Sequence, residues 1–259
     1  MLNAVERHPA MLVYLDQAVS VGPNSLVGRR IAERGRRTVG LNENLAREIM
    51  ELHTLGARTG YTQGDVIEFA RAITGWTVGG LGRARAGSGE PGGFVFAPAV
   101  HEPGERTIIG RRYPQTGEAQ AAAVLADLAA SPATATHLAT KLARHFAGDT
   151  PPPLMVERLE AAYLRSNGDL PTVYRALVAS PEVWAEAPVK FRTPWEWSVA
   201  TYRALGLRQV QPAAIVGRDL RPTTDLDTFI ADAVARTYRL EPGRVAAALF
   251  PTGSARRNV

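Results

Sequence analysis

The sequence predicts a mainly α fold, a multi-helical orthogonal array with at most one small β-hairpin near residues 94–109. Three observations lead there. Apolar residues recur at helical spacing, as in Leu45, Ile49 and Leu52, and again in Val66, Phe69, Ala70 and Ile73. Helix-start chemistry is frequent: Thr62 and Asp65 have the spacing of a capping box, and Ser131-Pro132, Ser180-Pro181 and Thr193-Pro194 set a hydroxyl before a proline at the first helical position. Strand-like text is confined to Phe94-Val-Phe96 and Thr107-Ile-Ile109, separated by Pro98 to Arg106, and these two runs are expected to pair.

Taken in order, Pro9 to Leu15 reads as a short buried helix, and Asp16 to Gly40 as a surface loop with turn chemistry at Val21-Gly-Pro-Asn-Ser25 and a basic run from Arg29 to Arg37. A helix follows from Asn42 to Leu55 and ends at Gly56. Its stripe of Leu45, Ile49 and Leu52 should face the core, while Asn44, Arg47, Glu48 and Glu51 share another face. The next helix runs to Thr74 and closes at Gly75-Trp76, before a glycine-rich passage from Gly79 to Gly93 that lacks the flanks of a phosphate-binding loop. Helices are expected at 117–130, 132–146, 152–166 and 170–179, and another begins at Thr193-Pro194. Gln209 to Leu226 lacks periodicity, Asp227 to Arg239 reads as an amphipathic helix, and Ser254 to Val259 as a frayed basic tail.

With 259 residues, 45% of them hydrophobic and 21% charged, the chain has material for a sizeable core, and a disordered chain is excluded. The organisation reads as one helical domain over 1–205 and a divergent segment over 206–259 with one or two helices. The net charge of +5 is spread over scattered arginines without interleaved aromatics, so no nucleic-acid partner is expected. With no cysteine, disulfides, thiolate metal sites and cysteine nucleophiles are ruled out. The first residues lack the basic start and apolar core of a signal peptide, and no run is long enough for a membrane span.

The chemistry-bearing residues concentrate on the 42–55 helix. His53 follows Glu48 and Glu51, an arrangement suited to proton transfer or to an oxygen-rich metal site, and equally to a structural network. On the 132–146 helix, Lys141 and Arg144 share a basic face that could pair with those carboxylates or hold an anion. The candidate polar site is therefore Asn44, Arg47, Glu48, Glu51, His53, Lys141 and Arg144. No histidine pair has metal-ligand spacing and no nucleophile elbow is present, so no metal, cofactor or catalytic residue is assigned. Trp76, Trp184, Trp195 and Trp197 read as core anchors, with stacking on a ligand as the alternative.

Asn42-Glu-Asn-Leu-Ala-Arg-Glu48, Glu51-Leu-His-Thr-Leu-Gly56, Gly60-Tyr-Thr-Gln63, Ala72-Ile-Thr-Gly-Trp76, the His101 and Gly110 segment and Lys141-Leu-Ala-Arg-His-Phe146 together resemble the bacterial family called domain of unknown function 1800. His8-Pro-Ala-Met-Leu12 and Val21-Gly-Pro-Asn-Ser25 fit the same pattern, and the likeness extends to about residue 215. The chain looks like the C-terminal portion of a longer family member, truncated or rearranged. The resemblance implies a largely helical protein, often exported in its full-length form, without a settled reaction. Two readings follow: a helical binding or scaffold module acting with a protein partner, or a hydrolase-like or metal-assisted enzyme with Glu48 or Glu51 as base and His53 assisting.

Overall fold

A computed structural model describes residues 1–35, 40–57, 59–81, 89–185, 191 and 193–206. The chain divides into two compact units, Met1–Lys190 and Phe191–Val259. The first is mainly helical: α1 (Leu2–Glu6), α2 (Pro9–Tyr14), α3 (Leu26–Glu33), α4 (Asn44–Glu48), α5 (Gln63–Ala72), α6 (Glu118–Ala130), α7 (Pro132–Ala147), α8 (Pro153–Arg165) and α9 (Leu170–Val178). Four three-residue strands, β1 (Trp76–Val78), β2 (Phe94–Phe96), β3 (Arg106–Ile108) and β4 (Arg111–Tyr113), form two antiparallel pairs. Within the second unit the described element is α10 (Pro194–Ala204), opened by a capping box between Thr193 and Glu196. No helix among the described residues is long and apolar enough to cross a membrane.

The mainly α class holds, and the strand pairing differs from the expected hairpin. Phe94–Phe96 pairs with Trp76–Val78 in the register Trp76 to Phe96, and Arg106–Ile108 turns straight back onto Arg111–Tyr113. The first pairing arises because Gly75 at φ +90° turns the chain sharply out of the helix end, so the tryptophan expected to close the helix begins a strand. Three-residue strands are also too short to show a period of two. The second hairpin has both turn residues, Ile109 and Gly110, at positive φ, the requirement of a tight two-residue turn. Ile109 is a poor residue for that backbone, and its N–H is held by Asp65 Oδ1 at 2.6 Å, while Oδ2 of the same carboxylate completes the α5 capping box.

Among the described residues, two large hydrophobic clusters and a small one of Val21, Ala97 and Val100 fill the first unit. One joins α2, α4, α5, the strands and α6 through Leu12, Leu45, Ile49, Met50, Phe69, Ile73 and Trp76, all essentially buried. The other packs α7, α8 and α9 through Ala139, Ala143, Met155, Leu159 and Leu177. Alanines along the inner face of α7 let α8 approach closely. The clusters meet at the short turn between α6 and α7, where the Tyr163 hydroxyl donates to Ala129 O at 2.7 Å.

Irregular chain between the helices is held by buried polar side chains. Gln17, fully buried, donates to Ile73 O at 2.9 Å. Asn42 donates through Nδ2 to Leu15 O at 2.8 Å, and its Oδ1 accepts the Asn44 N–H. Buried Glu102 accepts from the Asn24 backbone at 2.7 Å and from Asn24 Nδ2 at 2.6 Å, fixing the Gly-Pro-Asn-Ser turn. Gln120 reaches from α6 to the carbonyls of Gly104, Tyr113 and Gln115, which fastens the β3–β4 hairpin.

Residues 26–33, expected as loop, form α3, with the Ser25 hydroxyl accepting the Gly28 N–H as a helix cap. Ser131 and Ser180 do not cap in this way; their prolines start the next element, while Ser180 Oγ donates back to Ala176 O. Of the tryptophans, Trp76 alone is fully buried, whereas Trp184 is 69% exposed and Trp195 is also exposed. The expected helix at 227–239, the aperiodic 209–226 segment, the 254–259 tail and the middle of the glycine-rich passage, 82–88, lie outside the described residues.

Gly75 tests this account of the α5–β1 turn. A Cβ there would sit 2.8 Å from Phe96 Cε2 and 3.1 Å from Ala97 O, on a backbone that disfavours it already. Gly75→Ala is expected to cost about 2 kcal/mol or more, read as a lowered urea midpoint.

Candidate functional site

The helix that carries the polar candidates does not stay α-helical. After Glu48 it widens into a π turn over Ile49–His53, which inserts one extra residue into the helical count. That slip changes which side chains face inward. Leu52, expected in the buried stripe, is 45% exposed, and Met50 is fully buried in its place. The backbone groups freed by the turn are answered individually: Thr54 Oγ1 donates to Ile49 O at 2.7 Å, and the Gly56 N–H donates to Met50 O at 3.1 Å.

Leu52 O is answered from α7. His137 Nε2 and Lys141 Nζ each donate to it at 3.1 Å. Lys141 therefore meets the signature helix at a carbonyl of its last turn, where a cation is favoured, and forms no ion pair with its carboxylates. Gly56 belongs to the same joint: at φ +93°, a Cβ on it would meet His137 Nδ1 at 2.7 Å. Arg144, one turn further along α7, is exposed and has no hydrogen bond or ion pair among the described residues.

The remaining candidates separate into two groups. Arg47 pairs with Glu43 at 3.1 Å and Glu51 at 3.4 Å, and donates to Gln63 Oε1 at 2.7 Å; Gln63 in turn donates to Glu43 at 2.6 Å. This half-exposed clasp ties α4 to the start of α5. Asn44 sits exposed at the start of α4, its N–H donating to Asn42. His53 turns the other way, and its Nδ1–H donates to Glu6 Oε1 at 2.8 Å. Glu48 is half-buried and forms no hydrogen bond among the described residues, but its charge acts on His53.

Glu6 was not legible in the sequence, where α1 carries too few residues to show a period and a single acid among surface-type residues gives no signal. It is the most buried carboxylate of the arrangement, with no exposed surface, and its second oxygen, Oε2, has no donor among the described residues. The hydrogen bond to Glu6, with the charges of Glu6 and Glu48, raises His53 above its ordinary value of 6.5 against the opposing effects of burial and of Lys141.

Glu6, His53 and Lys141 border one cavity of about 460 Å³, walled by α1, the π turn, the end of α6, α7, the end of α8 and the start of α9. Its sides are largely apolar, with Leu2, Val5, Ala126, Leu138 and Leu170 among them. Asn44, Arg47, Glu48, Glu51 and Arg144 do not line it. Its hydroxyls are engaged with the backbone: Thr54 with Ile49 O, Thr134 with Leu128 O and Tyr163 with Ala129 O. Among the described residues, no group of three or more His, Cys, Asp or Glu side chains is placed to hold a metal ion.

A family model described as protein of unknown function, DUF1800, matches residues 1–238. The chain belongs to the DUF1800 family. Neither the curated proteins nor the solved structures contain a match to it. In this DUF1800 chain, the motifs that carry the family likeness form joints of the fold: Asn24 with Glu102, Thr74 with His101, and Asn42 with Leu15.

Two predictions follow from the separation of the clasp from the Glu6–His53 pair. His53→Ala strands a buried carboxylate and is expected to cost about 3 kcal/mol, whereas Arg47→Met in the exposed clasp costs under about 1 kcal/mol, both by urea denaturation. The second concerns pH. Because His53 is raised in the folded state, its stabilisation is complete below pH 6.5 and is lost as pH rises through the raised value. His101 acts with the opposite sign, since burial holds it below its ordinary value and its contribution is lost as pH falls. The difference in melting temperature between wild type and His53→Gln should therefore shrink steadily from pH 6.5 upward; a difference independent of pH would remove the charged pair from the account.

Proposed function

We propose that this chain is a helical binding module and that the cavity bordered by Glu6, His53 and Lys141 is its binding place. The observation that carries the reading is Glu6: a carboxylate without exposed surface, bordering an apolar cavity of about 460 Å³, with one oxygen lacking a donor. A buried acceptor left unmatched is costly, and a cavity of this size with few polar groups at one place suits a small molecule. The engaged hydroxyls of Thr54, Thr134 and Tyr163 favour binding over nucleophilic chemistry.

One observation favours the enzyme alternative. A carboxylate bonded to Nδ1 of a histidine is the arrangement that orients an imidazole for acid–base work. In that reading His53, with Glu6 behind it, takes the role that the sequence offered to Glu48 or Glu51. The raised His53 value favours the charged imidazole, the form that serves as an acid.

Ligand-observed NMR with a set of small amphipathic fragments separates the two readings. Fragments should bind wild type with submillimolar affinity and at least about tenfold more weakly to Ala126→Trp, which fills the cavity from an exposed position on α6. Equal binding to both proteins, or none to wild type, overturns the reading. Turnover of ester or amide probes that disappears in His53→Ala would transfer the cavity to an enzyme.

A further inference from the structure

We infer that the ligand taken by this cavity is a monoanionic amphiphile, a single carboxylate on an aliphatic body. The inference rests on the binding reading above and deepens it by naming the class of ligand. Its basis is the charge that the bordering side chains leave uncancelled. Three of them are ionisable to a charge near neutral pH: Glu6, His53 and Lys141. Glu6 and His53 meet at 2.8 Å, so the charged imidazole offsets the carboxylate. Lys141 donates to an uncharged partner, Leu52 O at 3.1 Å, and forms no ion pair among the described residues. One positive charge therefore stands at the cavity without a counter-ion, and one carboxylate cancels it.

The lysine belongs to the edge of the cavity and not to its depth. Lys141 is an exposed residue, and the carbonyl it reaches is that of Leu52, which borders the cavity and is itself exposed. A head group at that edge keeps part of its water while its body lies between the walls, so no charge has to enter the apolar interior. The attraction acts through the field of the cation and does not depend on a single directed hydrogen bond. Leu2, Val5, Leu138 and Leu170 make the walls aliphatic, which suits a hydrocarbon chain. An ammonium head would meet Lys141 and the charged His53, whereas a neutral head gains from its body alone. Glu48, whose charge also acts on His53, is not among the bordering residues.

The test uses three probes with one body and different heads: octanoate, octanol and octylamine. Calorimetric titration of the full chain at low salt, in mildly acidic buffer where His53 is charged, should give octanoate an affinity about fivefold above that of octanol, with octylamine weakest. Lys141→Met, checked first for an intact thermal transition, should remove the preference for octanoate and leave octanol within about twofold of wild type, while Lys141→Arg keeps the preference. Octanol or octylamine binding wild type as tightly as octanoate, with that binding abolished by Ala126→Trp, overturns the anion inference and leaves the binding reading standing. A preference for octanoate that persists in Lys141→Met, or is lost equally in Lys141→Arg, removes the lysine charge as its cause and overturns it too. If none of the three binds while other fragments respond to Ala126→Trp, the anion inference falls alone; if nothing binds wild type, both fall.

Discussion

The last turn of a helix leaves carbonyls that must find donors, and in this protein the solution chosen after Glu48 organises much of the first unit. An ordinary α-helical ending would have kept Leu52 inside and its carbonyl facing the next turn. The π turn instead sends Leu52 outward and presents its carbonyl to α7, where His137 and Lys141 both take it. One backbone oxygen thus joins the cluster built on α4 and α5 to the helices α7, α8 and α9. Gly56 follows from the same constraint, since only a residue without Cβ lets His137 approach. The placement of His53 against Glu6 is a third consequence, because the extra residue rotates the last side chain of the turn away from the Arg47 clasp.

The density of polar residues in the family-like motifs has a physical explanation that requires no chemistry. Much of the first unit is irregular chain, and every buried N–H and C=O in such chain needs a partner that a helix or sheet would have supplied. Glu102 provides two acceptors to the turn at Asn24, Thr74 links the end of α5 to His101 and to the Glu102 N–H, and Gln120 supplies donors to three carbonyls. Each is a side-chain bond replacing a missing backbone ladder. Glu68 shows the same economy, lying between Arg71 on its own helix and the nearly buried Arg106 of β3. These residues support the fold, and the cavity lies apart from them.

How much could be read from the chain depended on whether the cue was local. The Thr62–Asp65 capping box, the stripe of Val66, Phe69 and Ala70, and the helices from 118 to 178 all declare themselves within a few residues, and the structure has them. The π turn does not, because i→i+4 and i→i+5 bonding differ by one residue in a segment whose apolar count fits the commoner choice. Helix α3 was hidden by its arginines, which leave Gly28 as its one buried residue among those described. Arg47 and Glu51 do meet, as their i,i+4 spacing suggests, whereas the partner of His53 lies 47 residues away in a five-residue helix. No spacing rule reaches that far.

That distance bears on why a charge is buried at Glu6 at all. Taking a carboxylate wholly out of water is expensive, and pairing it with a half-buried histidine recovers only part of the cost, since the pair offers one hydrogen bond to two oxygens. An apolar side chain at position 6 would pack against Leu2, Leu52 and Leu138 without that penalty. Both oxygens of Glu102 are satisfied, Asn24 serving each, whereas Gln17 and Gln120, which also hold the fold, each keep a buried oxygen without a donor among the described residues. The same fold therefore contains a buried glutamate completed by its own chain and another left half-complete at a cavity. Glu6 shares its unmatched oxygen with Gln17 and Gln120 among the described residues, and differs from them in bordering the cavity.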